Sequence, residues 1–142
     1  MLTRCIPEDT FFQLLPDFPR EQYFRVQQGK EGGAAAGFNV ASATISANPR
    51  IKTWLVITPV DDQGGGAARE LEQAGLDGTS CVVSMGAESA RYEWAEGKET
   101  CWKAAAFFSA YDCAVEVWRG MIEALKEGKG QKEIFADSRE PG

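Results

Sequence analysis

Chemistry in this chain would have to come from its acids, glycines, tryptophans or cysteines, because it has no histidine. That absence removes the commonest general base and metal ligand. Asp61-Asp62 is an adjacent acidic pair followed, after Gln63, by the glycines Gly64-Gly65-Gly66. Paired carboxylates can do acid–base work or hold a metal when they converge on a substrate. No second acidic constellation of recognisable spacing accompanies them. The alternative is structural: the glycines make a tight turn into a helix, and Asp61 or Asp62 caps its free N–H groups. The triplet lacks a following Gly-Lys-Ser/Thr, so it is not a phosphate loop. A second cluster, Gly29, Gly32, Gly33 and Gly37, stands where a dinucleotide fingerprint would. The Gly-x-Gly-x-x-Gly spacing is not met, and Asp61 lies further on than the usual separation of about 20 residues. A flexible turn between strand and helix is the plainer reading.

The remaining side chains point to binding more than to catalysis. Trp54, Trp94, Trp102 and Trp118 could offer flat apolar faces to a sugar, with core packing as the alternative and the favoured one for Trp118. Glu88 and Tyr92 lie just past an apolar run, Cys81–Met85, where a ligand of a parallel sheet would sit, although a Glu at a helix start also answers the helix dipole. Cys5, Cys81, Cys101 and Cys113 form no Cys-x-x-Cys pair, so a zinc site is not expected. Cys81 and Cys101 each open a strand and are expected close together, with a disulfide only in an exported chain. No catalytic residue, metal or cofactor is assigned.

The elements that must position these residues follow from hydrophobic patterning. Gln22–Val26 reads as a strand, Ala34–Ala47 as a helix ended by Asn48-Pro49, and Thr53–Thr58 as a strand buried on both faces. Gln63–Ala74 is a helix stopped at Gly75, Cys81–Met85 a strand, Glu88–Ala95 a short helix, and Cys101–Phe108 another strand. The clearest signal is the last helix, where Ala110, Cys113, Ala114, Val117, Trp118, Met121, Ile122 and Leu125 recur at helical spacing. Ile134-Phe135 makes a final short strand. Alternating strands and helices predict an α/β fold, a three-layer sandwich around a mostly parallel, doubly wound sheet. Its ligands bind beyond the carboxyl ends of the strands.

Composition bounds the partners. The 142 residues suit one domain, and the net charge of −6 with a pI near 4.7 argues against nucleic acid and anionic membranes. No apolar stretch approaches the roughly 20 residues that span a bilayer. The first ten residues have no signal-peptide core, so the chain reads as cytosolic, or as a mature or truncated piece of an exported protein.

Asn48 to Val56 (NPRIKTWLV), then Asp61, then Gly66 to Leu76 (GAARELEQAGL) resemble the C-terminal lobe of type I periplasmic sugar-binding proteins of the L-arabinose-binding type. Phe18–Val26 looks like that lobe's preceding strand, and Cys81–Gly86 and Ala104–Tyr111 match its following strands. The register runs almost without gaps from about Phe18 to about Gly128. The resemblance implies a single lobe over residues 1–142, half of a two-lobed protein that closes on a sugar or polyol and delivers it to an ABC importer permease. It implies a periplasmic or extracellular location, no enzymatic activity, and a ligand site near Val60, Asp61, Glu88, Tyr92 and Phe108. Val60 stands where the family has a ligand-binding Asn. The effector domain of a lactose-repressor-type regulator and a nucleotide-using α/β enzyme are the competing readings. The matched region begins just after the lobe's central strand, so that strand is expected from Leu2–Ile6, from a second copy, or from a separate polypeptide such as the N-terminal lobe.

Overall fold

The structure, a computed structural model, describes residues 6–27, 32–107 and 109–128. Cα packing divides the chain into two units, Met1–Ala106 and Phe107–Gly142. The first carries helices α1 (Ile6–Leu14), α2 (Gly33–Ala47), α3 (Asp61–Gln73) and α4 (Ala90–Ala95), with strands β1 (Leu55–Ile57), β2 (Cys81–Gly86) and most of β3 (Trp102–Phe107). Helix α5 (Ala110–Lys126) belongs to the second. The protein is α/β, with a three-stranded parallel sheet in the order β1-β2-β3. Leu55, Val56 and Ile57 pair in parallel register with Cys81, Val82 and Val83. Among the described residues no strand pairs with the other edge of β1.

Small residues set the helix layer. A Cβ on Gly37 would lie 2.2 Å from the Gln63 carbonyl oxygen, and one on Gly66 would lie 1.9 Å from that of Ala34. Helices α2 and α3 therefore cross with their backbones in contact, which only glycine permits here. Helix α3 in turn covers β2. Ala68, Leu71, Val82, Ala90, Cys101 and Trp102, all nearly or wholly buried, form the core with Trp54. Helix α3 stops at Gly75 (φ 67°), where the Leu76 N–H donates back to the Leu71 carbonyl at 2.8 Å. Helix α2 stops at Asn48, whose side-chain amide donates to the Thr44 carbonyl at 2.9 Å.

Two expected elements are different. The run Gln22–Val26 is not a strand: a 3-10 turn over Arg20–Gln22 leads into extended chain without a ladder among the described residues. Its aromatics pack on helices and core instead. Tyr23 lies 5.7 and 5.1 Å from the rings of Phe11 and Phe12 on α1, and Phe24 lies 5.7 Å from Trp54. Aromatic and β-branched residues favour strands only where a neighbouring strand is there to pair with. The expected strand Leu2–Ile6 falls mostly outside the described residues, and Ile6 opens α1, which sequence patterning missed. Ile134 and Phe135 also lie outside them.

Candidate functional site

The loops that leave the carboxyl ends of β1 and β2 meet. After β1 the chain runs through Thr58-Pro59 to Val60, which is 47% exposed and precedes α3 in extended conformation. The Thr58 hydroxyl donates to the Val60 carbonyl at 3.1 Å, which fixes this turn. Asp61 is the first residue of α3 and only 5% exposed. One carboxylate oxygen accepts the Ser84 hydroxyl at 2.6 Å. The other accepts the backbone N–H groups of Ser89, at 2.6 Å, and Ala90, at 3.0 Å. Ser84 is itself buried and accepts the indole N–H of Trp102 at 3.0 Å. A relay thus runs from β3 through β2 and the first turn of α3 to the start of α4. Bonds to a charged partner contribute roughly 1.5–3 kcal/mol each, against a larger cost if the carboxylate lost them.

This arrangement corrects the expectation for the acidic pair and the glycine triplet. Gly64-Gly65-Gly66 is not a turn before a helix; it lies inside α3. A Cβ on Gly64 would come within 2.9 Å of the Ser84 side chain, and one on Gly65 within 3.1 Å of the Trp102 ring. The glycines let the helix lie directly on that indole. Neither Asp61 nor Asp62 caps α3, whose N-cap Val60 makes no side-chain bond. Asp61 caps α4 instead, and Asp62 accepts the Ser89 hydroxyl at 3.1 Å. Both acids still sit in the first turn of α3, where the free N–H ends favour negative charge.

Glu88 and Tyr92 stand on the outer rim of the same junction. Helix α4 begins at Ala90, so Glu88 lies in the preceding turn, with its side chain 61% exposed. Arg91 joins the two. One of its guanidinium nitrogens lies 3.3 Å from the Glu88 carboxylate and 3.2 Å from the Tyr92 hydroxyl, and the guanidinium stands 5.0 Å from the Tyr92 ring centre. Tyr92 is 61% exposed. The structure therefore joins Asp61 to the Ser89 and Ala90 backbone and links Glu88 to Tyr92 through Arg91, with Val60 next to Asp61 in the chain, while Phe108 lies outside the described residues. Sequence reasoning missed Ser84, Ser89 and Arg91. Ser84 left a signal, as the lone hydroxyl in the apolar run CVVSM.

The tryptophans separate. Trp102 is fully buried, and Trp94 donates its indole N–H to the Trp102 carbonyl at 2.8 Å. Trp118, expected in a core, is 63% exposed on α5. Two concavities of the described surface are lined by other residues: one of about 550 Å³ along α5, and one of about 330 Å³ between Trp94 and Lys103. Among the described residues no group of three or more Cys, Asp or Glu is arranged to hold a metal, and no helix is long and apolar enough to cross a membrane.

Cys81 and Cys101 are neighbours in chain path, since the Val82 N–H donates to the Cys101 carbonyl at 2.9 Å. Their thiols face opposite ways. Cys101 Sγ lies 3.8 Å from the Ala68 carbonyl of α3, whereas Cys81 flanks Val82, whose buried side chain faces α3, and so projects from the other face. Both are free thiols, and so is the exposed Cys113. Burial pushes the Cys101 thiol pKa up, and the charges of Glu72 and Asp77 add to the rise.

Compared with protein-family models, curated proteins and solved structures, the chain finds no match.

Proposed function

We propose that this chain is a solute-binding lobe that takes a sugar or polyol at the carboxyl ends of its strands, as half of a two-lobed protein that serves an importer. The observation that carries the reading is the meeting of two loops beyond parallel strands, joined by a buried carboxylate and rimmed by exposed polar groups. Asp62, Ser89, Glu88 and Arg91 offer acceptors and donors at the surface, and Tyr92 adds an aromatic face. Hydroxyl-rich ligands are recognised by such mixtures, because an unmet hydrogen bond at a dried site is costly. The exposed side chain of Val60 brings an apolar contact where the resembling family uses an Asn.

A nucleotide-using enzyme draws less support, since Gly64–Gly66 are packed into α3 and offer no open phosphate loop. A complete three-layer, doubly wound sandwich belongs to this proposal. It is supported by Leu55, Ile57 and Met85, which alternate away from the α3 side and are about half exposed, as strands awaiting a second helical layer would be. Closure against a partner lobe, or a second copy, would shut the rim from water. The cell compartment follows from that role: periplasmic or extracellular.

The test is a thermal-shift screen of the purified chain against pentoses, hexoses, polyols and nucleotides. A ligand present at 100 times its Kd raises stability by about 2.7 kcal/mol. Glu88→Ala should weaken the best sugar about tenfold while leaving the melting temperature of the free protein within a degree or so, because an exposed side chain contributes little to stability. A nucleotide as the sole stabilising ligand would replace this reading with the enzyme.

A further inference from the structure

The turn between β2 and α4 holds two successive residues with positive φ, Gly86 at 126° and Ala87 at 58°. Ala87 is the one non-glycine residue in that region among the described residues. An alanine there crowds its Cβ against the next carbonyl, and such a conformation persists only where the surroundings over-determine it. The turn's own bond is long: the Arg91 N–H donates to the Ala87 carbonyl at 3.4 Å. Ser89, at the N-cap of α4, makes no side-chain bond to the helix, and six residues are too few for α4 to be stable by its own hydrogen bonds. The short bonds that grip the turn come from another element. Asp61 takes the N–H groups of Ser89 and Ala90 immediately after it, and a Cβ on Gly86 would meet the Asp61 Cβ at 3.3 Å. The carboxylate is in turn held from behind by Ser84 and, through it, by the fully buried Trp102.

We propose that Asp61 is the positioning residue of the site. It locks the Gly86-Ala87 turn in its left-handed form, orders the rim that carries Glu88, Arg91 and Tyr92, and makes the loops after β1 and β2 one mechanical unit. Its importance to a ligand rests on the binding reading above, but the lock itself exists without ligand. With both oxygens taken by protein donors, Asp61 acts on a ligand only through the rim that it holds. Contact with either loop is then felt by the other.

Amide hydrogen exchange on the full chain without ligand tests this, using wild type, Asp61→Asn, Ala87→Gly and the double variant. Asn keeps the size of the side chain but loses its charge. Exchange over residues 86–95 should rise about tenfold or more in Asp61→Asn, while residues 36–47 of α2 exchange as before. Ala87→Gly should take back most of that rise, because glycine adopts the turn without crowding. The Trp102 indole N–H resonance should shift in Asp61→Asn, reporting the broken relay. A rise equal in α2 and the rim, no rise at all, or a rise that Ala87→Gly leaves unchanged would overturn the proposal. If Asp61→Asn does not fold, Ser84→Ala removes one donor to the carboxylate and leaves the turn's own residues in place. It must give the same localised rise, and its absence would equally overturn the lock. Failure of every sugar to bind, with this exchange pattern intact, would remove the functional reading alone.

Discussion

Helices α3 and α5 reverse what their sequences suggest. Helix α5 has the clean apolar stripe, yet of its residues only Ala124 is buried, while Tyr111, Trp118 and Leu125 are exposed at 76, 63 and 73%. Helix α3, DDQGGGAARELEQ, has hardly a large apolar residue, yet Asp61, Gly64, Gly66, Ala67, Ala68, Glu70 and Leu71 are all buried. A stripe tells that a helix has an apolar side, not what covers it. Close packing by small residues leaves little hydropathy signal but fixes a helix more tightly, because a missing Cβ is what allows backbone to meet backbone.

The largest test of that contrast is to add one methyl group in each helix. Gly66→Ala drives its Cβ into the Ala34 carbonyl, and Gly37→Ala drives its own into that of Gln63; backbone cannot step aside as a side chain would. Each should lose about 3 kcal/mol or fail to fold. Gly120→Ala in α5 meets nothing within 4 Å and should gain about 0.5–1 kcal/mol from helix propensity alone. Urea unfolding of the three variants gives the comparison. Equal, small effects would show that α2 and α3 do not cross this closely.

The same contrast explains what could be read in the sequence. Helices α2, α3 and α5 and strands β1, β2 and β3 were legible because breakers such as Asn48-Pro49 and Gly75 bound them, and because Thr53–Thr58 and Cys81–Met85 are short apolar runs; the expected burial of Thr53–Thr58 on both faces is not found, since Leu55 and Ile57 are 53 and 45% exposed. Helix α1 was not, and neither was the fate of Tyr23 and Phe24, since aromatic residues serve strands and helix-packing turns alike. At the site, the meeting of the loop after β1 with the loop after β2, where Asp61 holds Ser89 and Ala90, follows from the rule that parallel strands end together. The role of Asp61 was hidden because its partners, Ser84, Ser89 and Ala90, lie 23 to 29 residues away. Its neighbours in sequence offered a cap within its own helix or an acidic pair, and neither is its role.

A smaller effect is expected from removing one polar atom. Ser84→Ala leaves the buried Trp102 indole N–H and one oxygen of Asp61 without their partner, which should cost about 1–3 kcal/mol. Trp118→Ala removes a far larger side chain, yet an exposed one, and should change stability by no more than about 0.5 kcal/mol. A loss of several kcal/mol from Trp118→Ala would mean that the α5 stripe is covered in solution, and the contrast between the helices would fall.

The finest probe is thiol chemistry, because each helix has a cysteine beside it. Cys101 lies under α3, 1% exposed, and Cys113 lies on α5 in the open. Thiolate is the reactive form, and burial together with the charges of Glu72 and Asp77 raises the Cys101 pKa above its ordinary 9.0. At pH 8 a disulfide reagent should therefore modify Cys113 first, then half-buried Cys81, with Cys101 slower than Cys113 by at least about tenfold because it waits on local opening. The raised pKa also sets a direction for stability. The folded state holds the Cys101 proton more tightly than the unfolded chain does, so the contribution is complete below pH 9.0 and is lost as pH climbs from there through the folded value. Between pH 8 and pH 10 the wild type should lose more stability than Cys101→Ala, which has no proton to release at that position. Parallel curves for Cys101→Ala and wild type, or Cys113 as slow to react as Cys101, would mean that the two thiols share one environment and that the burial of α3 and the exposure of α5 are not distinct in solution.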